Sequence, residues 1–385
     1  MKRLFYALVT LIATLSLVYA FPGHASSVHA ATTQTTVVPL ACNWRVVSSP
    51  NPSSQTANSL TAVAALSQTN IWAVGTASRQ GSPVQSIIEH WNGSAWKLVT
   101  SPSSVTELNG VTAIAANDVW AVGTGSSQSR TVHWNGSAWK VVASPNPSSL
   151  SVLVGVSART TNDVWAVGYY FNNSNIRKSL IEHWNGSAWR IVASPTTGTN
   201  FSTLIGVKAI AANNVWAVGN VVNSSTNVSH PLVEHWNGRT WSIVSTPAIA
   251  SASLFGITAI SASDTWAVGI SLTNGGKNTQ PLIEHWNGTR WRIVNGPAPL
   301  LSGLFGVSAL SSTNVWAVGD QNSSSSGSQT LVEHWNGTRW STVSSPNPSG
   351  YNYLFGVVSI TTNHIWAVGS TGSSGDGRPL VETRC

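Results

Sequence analysis

Charged side chains are scarce in this sequence, at 8% of 385 residues, and no run of basic residues accompanies its net charge of +7. A dedicated nucleic-acid-binding protein concentrates lysine and arginine in a patch, so the composition argues against that class. The 12 acidic residues mostly recur at equivalent repeat positions, which indicates no pair of carboxylates such as a glycosidase places around one sugar bond. Catalysis is therefore disfavoured, and we expect no cofactor.

Long apolar runs are also rare, and the one at residues 4–20 follows a short basic start. This pattern predicts a secretory signal over residues 1–30, with cleavage after Ala20 or Ala30, and residues 31–41 read as a polar leader. A run of 17 apolar residues is at the short edge of a membrane span, so an uncleaved anchor is the alternative. We expect a secreted protein whose only membrane contact would be an uncleaved signal.

Tryptophan is abundant, with 20 copies, and every copy belongs to one of three recurring motifs. The first, Trp-Ala-Val-Gly, recurs every 45 to 51 residues at Trp72, Trp120, Trp165, Trp216, Trp266, Trp316 and Trp366. The second, His-Trp-Asn-Gly, follows at Trp91, Trp134, Trp184, Trp236, Trp286 and Trp335. The third tryptophan stands at Trp44, Trp96, Trp139, Trp189, Trp241, Trp291 and Trp340. A fixed period in this range is the signature of a repeat fold, here with seven units.

Each unit contains four short apolar runs that are typical of β-strands. In the sixth unit these runs are residues 304–310, 315–319, 330–335 and 340–343. The Asn-Gly between the third and fourth runs is a strong hairpin signal and predicts a type I′ turn, with positive φ at both residues. Four antiparallel strands repeated around an axis form a propeller blade, so the sequence predicts an all-β, seven-bladed β-propeller over residues 42–385.

The two ends of the mature chain complement each other. The segment that begins at Cys42 matches only the fourth strand of a unit, and the segment that ends at Cys385 matches the third strand. We therefore predict that the N-terminal strand completes the seventh blade. In the aligned units the two cysteines occupy the positions of Ser94 and Asn92, on either side of the missing hairpin turn. A Cys42–Cys385 disulfide is expected to close the ring of a monomer in an oxidising compartment.

A Glu-His pair precedes the second tryptophan at Glu89-His90, Glu182-His183, Glu234-His235, Glu284-His285 and Glu333-His334. Such pairs suggest metal binding or acid–base chemistry. However, equivalent residues of different blades are spread around a ring and cannot meet at one metal ion, and adjacent residues of a strand point to opposite faces. We expect no metal site, and interpret each pair as a half-buried carboxylate and imidazole that hydrogen-bond the backbone or the next blade.

Departures from the repeat are better candidates for a binding site. Because the strands alternate in direction, the loops between second and third strands share one face with the links between blades. This loop face carries Tyr169, Tyr170 and Phe171, predicted in the third blade's loop, and Tyr351 and Tyr353, predicted in the link into the seventh blade. Exposed aromatic side chains suit stacking on sugars or anchoring a protein partner. The alternative is that they pack over their own loops.

Two charged residues on innermost strands are further candidates for ligand binding. Arg159 stands where most units have isoleucine or leucine, and Lys208 also places a charge on such a strand. The same strands also carry a small residue, which we interpret as a structural requirement, because innermost strands are crowded near the axis. It is Ala62 in the first unit and Gly110, Gly155, Gly206, Gly256, Gly306 and Gly356 in the others.

The motif Val164-Trp165-Ala166-Val167-Gly168, followed by His183-Trp184-Asn185-Gly186 and Trp189, resembles the kelch-type, galactose-oxidase-like propeller repeat. It is still more similar to secreted bacterial repeat proteins with the same two motifs. The units have one glycine rather than two after the second strand. Both cysteines are assigned to ring closure, so the copper site of galactose oxidase is not expected. The resemblance implies the fold and no activity.

We expect a secreted, non-catalytic binding module for glycans or cell-surface polymers. The alternative is an extracellular scaffold for protein–protein interaction that uses the same loop face. A kelch- or sialidase-like enzyme is a third hypothesis, and it would need Glu107, Asp320 or Asp376 to meet an arginine or tyrosine in one pocket.

Overall fold

The computed structural model describes residues 42–52, 57–78, 83–249, 251–274, 278–297, 299, 301–323, 327–373 and 376–385. The predicted signal segment and polar leader lie outside the described residues. The described part of the chain is all-β, with 28 strands and no α-helix. None of its elements is therefore a helix of the length and hydropathy needed to cross a bilayer.

The strands fall into seven sets of four. The first three sets are β2 (Ala57–Ser67), β3 (Asn70–Ser78), β4 (Gln85–Trp91), β5 (Trp96–Leu98); β6 (Glu107–Ala115), β7 (Asp118–Gly125), β8 (Gln128–Trp134), β9 (Trp139–Val142); and β10 (Ser151–Thr160), β11 (Asp163–Phe171), β12 (Arg177–Trp184), β13 (Trp189–Ile191). The fourth and fifth are β14 (Phe201–Ala211), β15 (Asn214–Val222), β16 (Ser229–Trp236), β17 (Trp241–Ile243); and β18 (Ala252–Ser261), β19 (Asp264–Thr273), β20 (Asn278–Trp286), β21 (Trp291–Ile293). The last two are β22 (Ser302–Ser311), β23 (Asn314–Ser323), β24 (Gly327–Trp335), β25 (Trp340–Thr342); and β26 (Tyr351–Thr361), β27 (His364–Ser373), β28 (Asp376–Arg384), β1 (Trp44–Val46).

Within each set the strands pair antiparallel, from the first strand to the fourth. Four sets form separate sheets, and the first, sixth and seventh are joined by two single-residue parallel pairs, Ser328 with Tyr351 and Ala57 with Gly377. The four-stranded antiparallel unit expected from the sequence is confirmed. The first three strands of a set extend beyond the predicted apolar runs, because the pairing continues into flanking residues, such as Ser302 before the first run and Ser323 after the second.

The second strand of each set is buried on both faces, which explains its continuous apolar sequence. In β11, Val164 packs with Trp120 of the second set, whereas Trp165 packs with Leu204 of the fourth. Val164 and Trp165 are at most 2% exposed. Each sheet is thus a layer between two neighbouring sheets, and the core lies between the sets.

Tryptophans from three strands meet at the contact between consecutive sets. Trp72 of the first set lies with its ring centroid 5.0 Å from that of Trp134 and 5.4 Å from that of Trp139, both of the second. Trp366 of the seventh set contacts Trp91 and Trp96 of the first in the same way, at 4.9 and 5.6 Å. Such edge-on and tilted pairs add to the stability gained by burying their area.

The seventh set contains the N-terminal strand. Strand β1 pairs with β28, with Trp44 opposite Arg384, and Cys42 forms a disulfide with Cys385. Both the strand pairing and the disulfide predicted from the sequence are therefore confirmed. This set has no second-motif tryptophan. Arg384 stands at its position, and the guanidinium carbon of Arg384 lies 5.1 Å from the ring centroid of Trp316. A cation–π contact therefore replaces the tryptophan–tryptophan contact made in the other sets.

The third and fourth strands are joined by a hairpin, but its predicted type I′ turn is wrong. Strand pairing ends at Trp91 and Trp96, which leaves a four-residue loop in which Gly93 has a φ of 96°. Asn92 is not among the residues with positive φ. Its side-chain oxygen accepts hydrogen bonds from the backbone N–H groups of Ser94 and Ala95, both at 3.0 Å. The asparagine caps the loop with its side chain rather than with a left-handed backbone.

Candidate functional site

The first strands of all seven sets surround a cavity of about 390 Å³. Its wall includes the residue that precedes the small residue of each first strand, namely Thr61, Asn109, Val154, Ile205, Phe255, Phe305 and Phe355. The glycines allow the strands to approach closely. A Cβ atom on Gly110 would lie 2.7 Å from the carbonyl oxygen of Val154, and one on Gly306 would lie 2.8 Å from that of Phe355. The expected crowding near the axis is confirmed.

Aromatic rings form a continuous arc along one side of this cavity. The ring centroids of Phe255 and Phe305 are 5.6 Å apart, and those of Phe305 and Phe355 are 5.8 Å apart. Phe355 also lies parallel to Tyr353, with centroids 6.1 Å apart. Sequence reasoning missed these phenylalanines. The signal was available, because the residue before the small residue changes from threonine and asparagine to three phenylalanines along the repeats.

The other side of the cavity wall is polar or aliphatic, and its polar residues hold neighbouring strands together. The Thr61 hydroxyl donates to the carbonyl oxygen of Leu108 at 2.8 Å, and the Asn109 amide donates to that of Leu153 at 2.9 Å. Each bond links one set to the next. The wall therefore presents aromatic rings from three sets and hydrogen-bonded polar groups from two others.

A second cavity, of about 330 Å³, lies beside the seventh set. Tyr351 and Tyr353 line it together with Asp376, Ser370 and Thr371. Tyr351 is 41% exposed, and Asp376 lies 3.7 Å from Arg378. Both tyrosines were predicted in the link before the seventh blade. The structure places them in strand β26, since Tyr351 pairs with Gly372 and Tyr353 with Ser370.

The aromatic residues of the third set also lie in a strand rather than in the predicted loop. Tyr169, Tyr170 and Phe171 end β11, because each pairs with a residue of β12. Tyr170 packs partly against the core between the second and third sets. Tyr169 faces Phe171 edge-on, with centroids 6.1 Å apart, and the guanidinium carbon of Arg177 lies 5.7 Å from its ring centroid. The ring of Tyr169 is therefore already in contact with neighbouring side chains of its own set.

The two tyrosine groups do not line one common cavity. Tyr170 lines a third cavity, of about 330 Å³, with Asn172 and Lys178, whereas Tyr351 and Tyr353 line the second. The Lys178 ammonium donates to the carbonyl oxygens of Gly198 and Asn200. Both acceptors lie in the link between β13 and β14, so this cation already has hydrogen-bond partners within the protein. The second cavity is the one that combines an exposed tyrosine with a carboxylate and hydroxyl groups.

Arg159 is part of a structural network at the opposite end of its sheet from Tyr169. Its Nε atom donates to Asp163 at 2.7 Å, and the same carboxylate accepts hydrogen bonds from Trp165 and His183. Burial alone would raise the pKa of Asp163, but the bonds from Arg159 and His183 outweigh burial and lower it. The charge of Arg159 is thus used to hold the turn after β10.

Lys208 is half-buried in β14, and the described residues provide no hydrogen-bond or ion-pair partner for its ammonium group. Burial lowers its pKa. The equivalent position is a hydroxyl residue in several sets, where it bonds the next set: the Thr112 oxygen accepts from the Ala158 N–H at 3.3 Å, and the Ser157 oxygen from the Ala209 N–H at 3.1 Å. The lysine has replaced a structural contact with a cation that has no partner of its own.

The repeated glutamates are fully buried, not half-buried as expected. Glu89, Glu182, Glu234, Glu284, Glu333 and Glu382 are all 0% exposed. Burial raises the pKa of Glu89, Glu234 and Glu284 to about 7 and that of Glu182, Glu333 and Glu382 to about 8. Three of them accept a hydrogen bond from a serine in the preceding link: Ser49 to Glu89, Ser144 to Glu182 and Ser194 to Glu234.

The histidine beside each glutamate has a separate structural role. His90 stacks on Trp72 at 4.2 Å, and its Nε2 atom lies 2.9 Å from the side-chain oxygen of Asn70 at the start of β3. His183 repeats this arrangement with Trp165 and Asp163. Within the described ranges, no three side chains among His, Cys, Asp and Glu come together as a metal site would require.

The three acidic residues outside the repeat lie in different sets. Glu107 is in β6, Asp320 is in β23 and accepts a hydrogen bond from Ser328 at 2.6 Å, and Asp376 is in β28. Asp376 meets both an arginine and two tyrosines, as the enzyme hypothesis required. However, it is the sole carboxylate among the described residues that line its cavity. Hydrolysis by paired carboxylates would need a second one.

Comparisons with known proteins bear on the fold alone. No protein-family model and no curated protein matches the chain. Among solved structures, it is similar to YCF48 bound to a D1 peptide (TM-score 0.55, 13% identity, covering 89% of this chain and 95% of that one). It is also similar to U3-55K, with a TM-score of 0.58 and 10% identity over 89% of this chain and 98% of that one. A third similar structure is the GH74 xyloglucanase from Xanthomonas campestris, with a TM-score of 0.54 and 11% identity over 88% of this chain and 55% of that one. These likenesses support a β-propeller repeat fold.

Proposed function

We propose that the mature protein is an exported, closed, seven-bladed β-propeller of the kelch type. Three contacts support closure: β1 pairs with β28, Trp366 of the seventh set packs on Trp91 and Trp96 of the first, and all seven first strands line one cavity. The disulfide is consistent with an oxidising exterior. The kelch assignment and export rest on sequence motifs, including the predicted signal.

The function that the geometry supports best is non-catalytic binding of a glycan or cell-surface polymer. The observation that carries it is the cavity beside the seventh set, which places Tyr351 and Tyr353 next to Asp376 and two hydroxyl residues. A tyrosine ring offers an apolar face to the C–H side of a sugar, and its hydroxyl remains available for hydrogen bonding. A carboxylate accepts hydrogen bonds from two sugar hydroxyls, and such bonds to charged groups are the stronger ones.

A protein-interaction scaffold is the second candidate, and a different surface favours it. The fourth strands form the outer edges of their sheets and expose a row of aliphatic residues, which are 43–49% exposed: Val46, Leu98, Val141, Ile191, Ile243 and Ile293. An exposed strand edge with apolar side chains can pair with an extended polypeptide. Charged neighbours on the same strands, such as Lys97 and Arg190, oppose unspecific pairing of this kind.

The test is binding of the purified protein to a broad array of glycans and cell-wall polysaccharides. We expect selective binding that a Tyr351→Ala, Tyr353→Ala double variant loses and a Tyr169→Ala variant keeps. Tyr169 is the matched control because it is a half-buried tyrosine at the same end of a different set. Absence of binding to any glycan would overturn the carbohydrate hypothesis, and capture of a protein in excess free sugar would then favour the scaffold. Release of shortened glycan, abolished in Asp376→Asn, would identify an enzyme.

A further inference from the structure

Exposed charge on this protein is almost entirely of one sign. Asp376 is the one exposed acidic side chain among the described residues, whereas ten lysine and arginine side chains are exposed there. The six repeated glutamates contribute nothing to the surface, since each is 0% exposed. The positive charge of the described chain is therefore largely on its surface, and most of its negative charge lies inside.

Eight of the ten exposed cations lie on the fourth strand of a set or in the hairpin that precedes it. Five directly follow the buried tryptophan of the strand: Arg45, Lys97, Lys140, Arg190 and Arg292. The other three are in the hairpins of the fourth, fifth and sixth sets: Arg239, Arg290 and Arg339. The fourth and sixth sets have a serine after the tryptophan, and there the hairpin supplies the cation. Every set thus contributes at least one, and we call the eight side chains the cationic belt.

The belt lies at the outside of the molecule because the fourth strands are farthest from the axis. All seven first strands line the axial cavity, and pairing within each set runs from the first strand to the fourth. Neighbouring sheets pack about 10 Å apart, and a radial arrangement widens this spacing outward. A single phosphate group therefore meets the cations of one or two sets, whereas an extended chain can meet several sets in succession.

No side chain of the described residues forms an ion pair with the belt. Protection of strand edges against unspecific pairing explains a cation on the strand itself. It does not explain Arg239, Arg290 and Arg339, which lie in hairpins where strand pairing has ended. The hairpins do not need these side chains either. Only the backbone N–H groups of the arginines bond the capping asparagine, and Ser94 and Ala95 do the same in the first set.

We propose that the cationic belt is a second binding surface, which holds a linear polyanion with phosphate groups along its backbone. Six of the eight cations are arginines, whose planar guanidinium can donate two parallel hydrogen bonds to phosphate oxygens. Each exposed contact is weak by itself. The affinity comes from several sets that act on one chain and from the counterions that the chain releases. This surface is separate from the tyrosine cavity, and the inference does not depend on glycan binding there.

The test measures binding of end-labelled inorganic polyphosphate to the disulfide-intact protein, by fluorescence anisotropy at several NaCl concentrations. We expect a chain of about 60 phosphates to bind at least about tenfold more tightly than tripolyphosphate, because only the long chain spans several sets. The affinity should fall as salt is added. The slope of log K against log [NaCl] should be about −3 to −5, since each contact with a flexible phosphate chain contributes about −0.7.

The belt variant is Arg239→Ser, Arg290→Ala, Arg339→Ala. It restores the residues that stand at the equivalent positions of the first set, Ser94 and Ala95, so it is expected to fold. It should bind polyphosphate about tenfold more weakly, with a salt slope that is less steep by about 2, because three phosphate contacts are removed.

The matched control is Arg130→Gln, Arg177→Gln, Arg378→Gln, which removes the same charge from third strands. It should change the affinity less than about twofold and leave the salt slope unchanged. The Tyr351→Ala, Tyr353→Ala variant should bind polyphosphate as the wild type does, so this proposal and the glycan proposal fail separately. A thermal melt of each variant shows that folded proteins are compared.

Three results would overturn the proposal. The first is a wild type that does not bind polyphosphate. The second is an equal loss of affinity in the belt variant and its control, which would show an effect of net charge alone. The third is tighter binding to vesicles of anionic phospholipid than to polyphosphate, which would identify a membrane surface as the partner instead.

Discussion

The buried glutamates make stability depend on pH in an unusual direction, and Glu333 is the sharpest place to test it. Its carboxyl is 0% exposed, and neither oxygen has a hydrogen-bond partner among the described residues. The link residue that supplies a serine in other sets is Gly296 here, which has no side chain to donate. Burial therefore raises the pKa of Glu333 from 4.5 to about 8 with nothing to oppose it.

The sign of the effect follows from proton linkage. Below pH 4.5 the carboxyl is protonated in both states, so its contribution to the free energy of unfolding is fully present. Between 4.5 and about 8 the folded state holds a proton that the unfolded state has released, and this contribution is lost as pH rises. A shift of this size corresponds to about 5 kcal/mol, at 1.36 kcal/mol for each pKa unit. The other five buried glutamates act in the same direction.

The perturbation is Glu333→Gln, which keeps the shape of the side chain and removes its titration. We expect the variant and the wild type to have similar free energies of unfolding at pH 5. At pH 8 the variant should be more stable by several kcal/mol, on the order of the 5 kcal/mol from linkage. The assay is urea unfolding followed by tryptophan fluorescence at pH 5, 6, 7 and 8, with the disulfide intact.

Glu107→Gln serves as the matched control, because Glu107 is a half-buried glutamate of β6 outside the repeated position. We expect its pH dependence to follow that of the wild type. Parallel curves for the wild type and Glu333→Gln would refute the reasoning, as would a wild type that gains stability between pH 5 and pH 8.

Two other predictions concern closure and the axis. A Cys42→Ser, Cys385→Ser double variant should lose about 5 kcal/mol in urea unfolding, since the bridge closes a loop of 343 residues; a loss below 1 kcal/mol would contradict the loop-entropy argument. Gly306→Ala should cost about 1–3 kcal/mol, because its Cβ would lie 2.8 Å from the carbonyl oxygen of Phe355. Ala62→Gly, the reverse change at the equivalent position, should cost less than 1 kcal/mol. Equal costs for the two variants would argue against crowding.

The sequence predicted the repeated four-stranded unit because its determinants are local and recur seven times. The apolar runs, the Asn-Gly hairpin and the fourth-strand tryptophan each lie within one unit of about fifty residues. The seam was equally predictable, since the two partial units at Cys42 and Cys385 complement each other by alignment alone. The geometry of the hairpin turn was not predictable in this way, because the Asn92 side chain competes with the backbone for the N–H groups of Ser94 and Ala95.

The aromatic arc escaped prediction for a different reason. Phe255, Phe305 and Phe355 lie fifty residues apart in sequence and become neighbours only when consecutive sets pack around an axis. The four tyrosines were identified because they depart from the repeat on the predicted loop face, but their environments depend on where strand pairing stops. Tyr170 continues its strand onto the core, whereas Tyr351 remains 41% exposed at the start of β26.

The pairing of β1 with β28 also sets an order of assembly during biosynthesis. Six sets are contiguous in sequence, so each has all four strands as soon as its own fifty residues have left the ribosome. The seventh must wait until the chain has been made as far as β28, while β1 has been available from the start. Until then β1 has no strand to hold Trp44 against Trp316, and it offers an unpaired edge to other nascent chains. The Cys42–Cys385 disulfide therefore depends on the last strand pairing to be formed, because that pairing brings the two cysteines together.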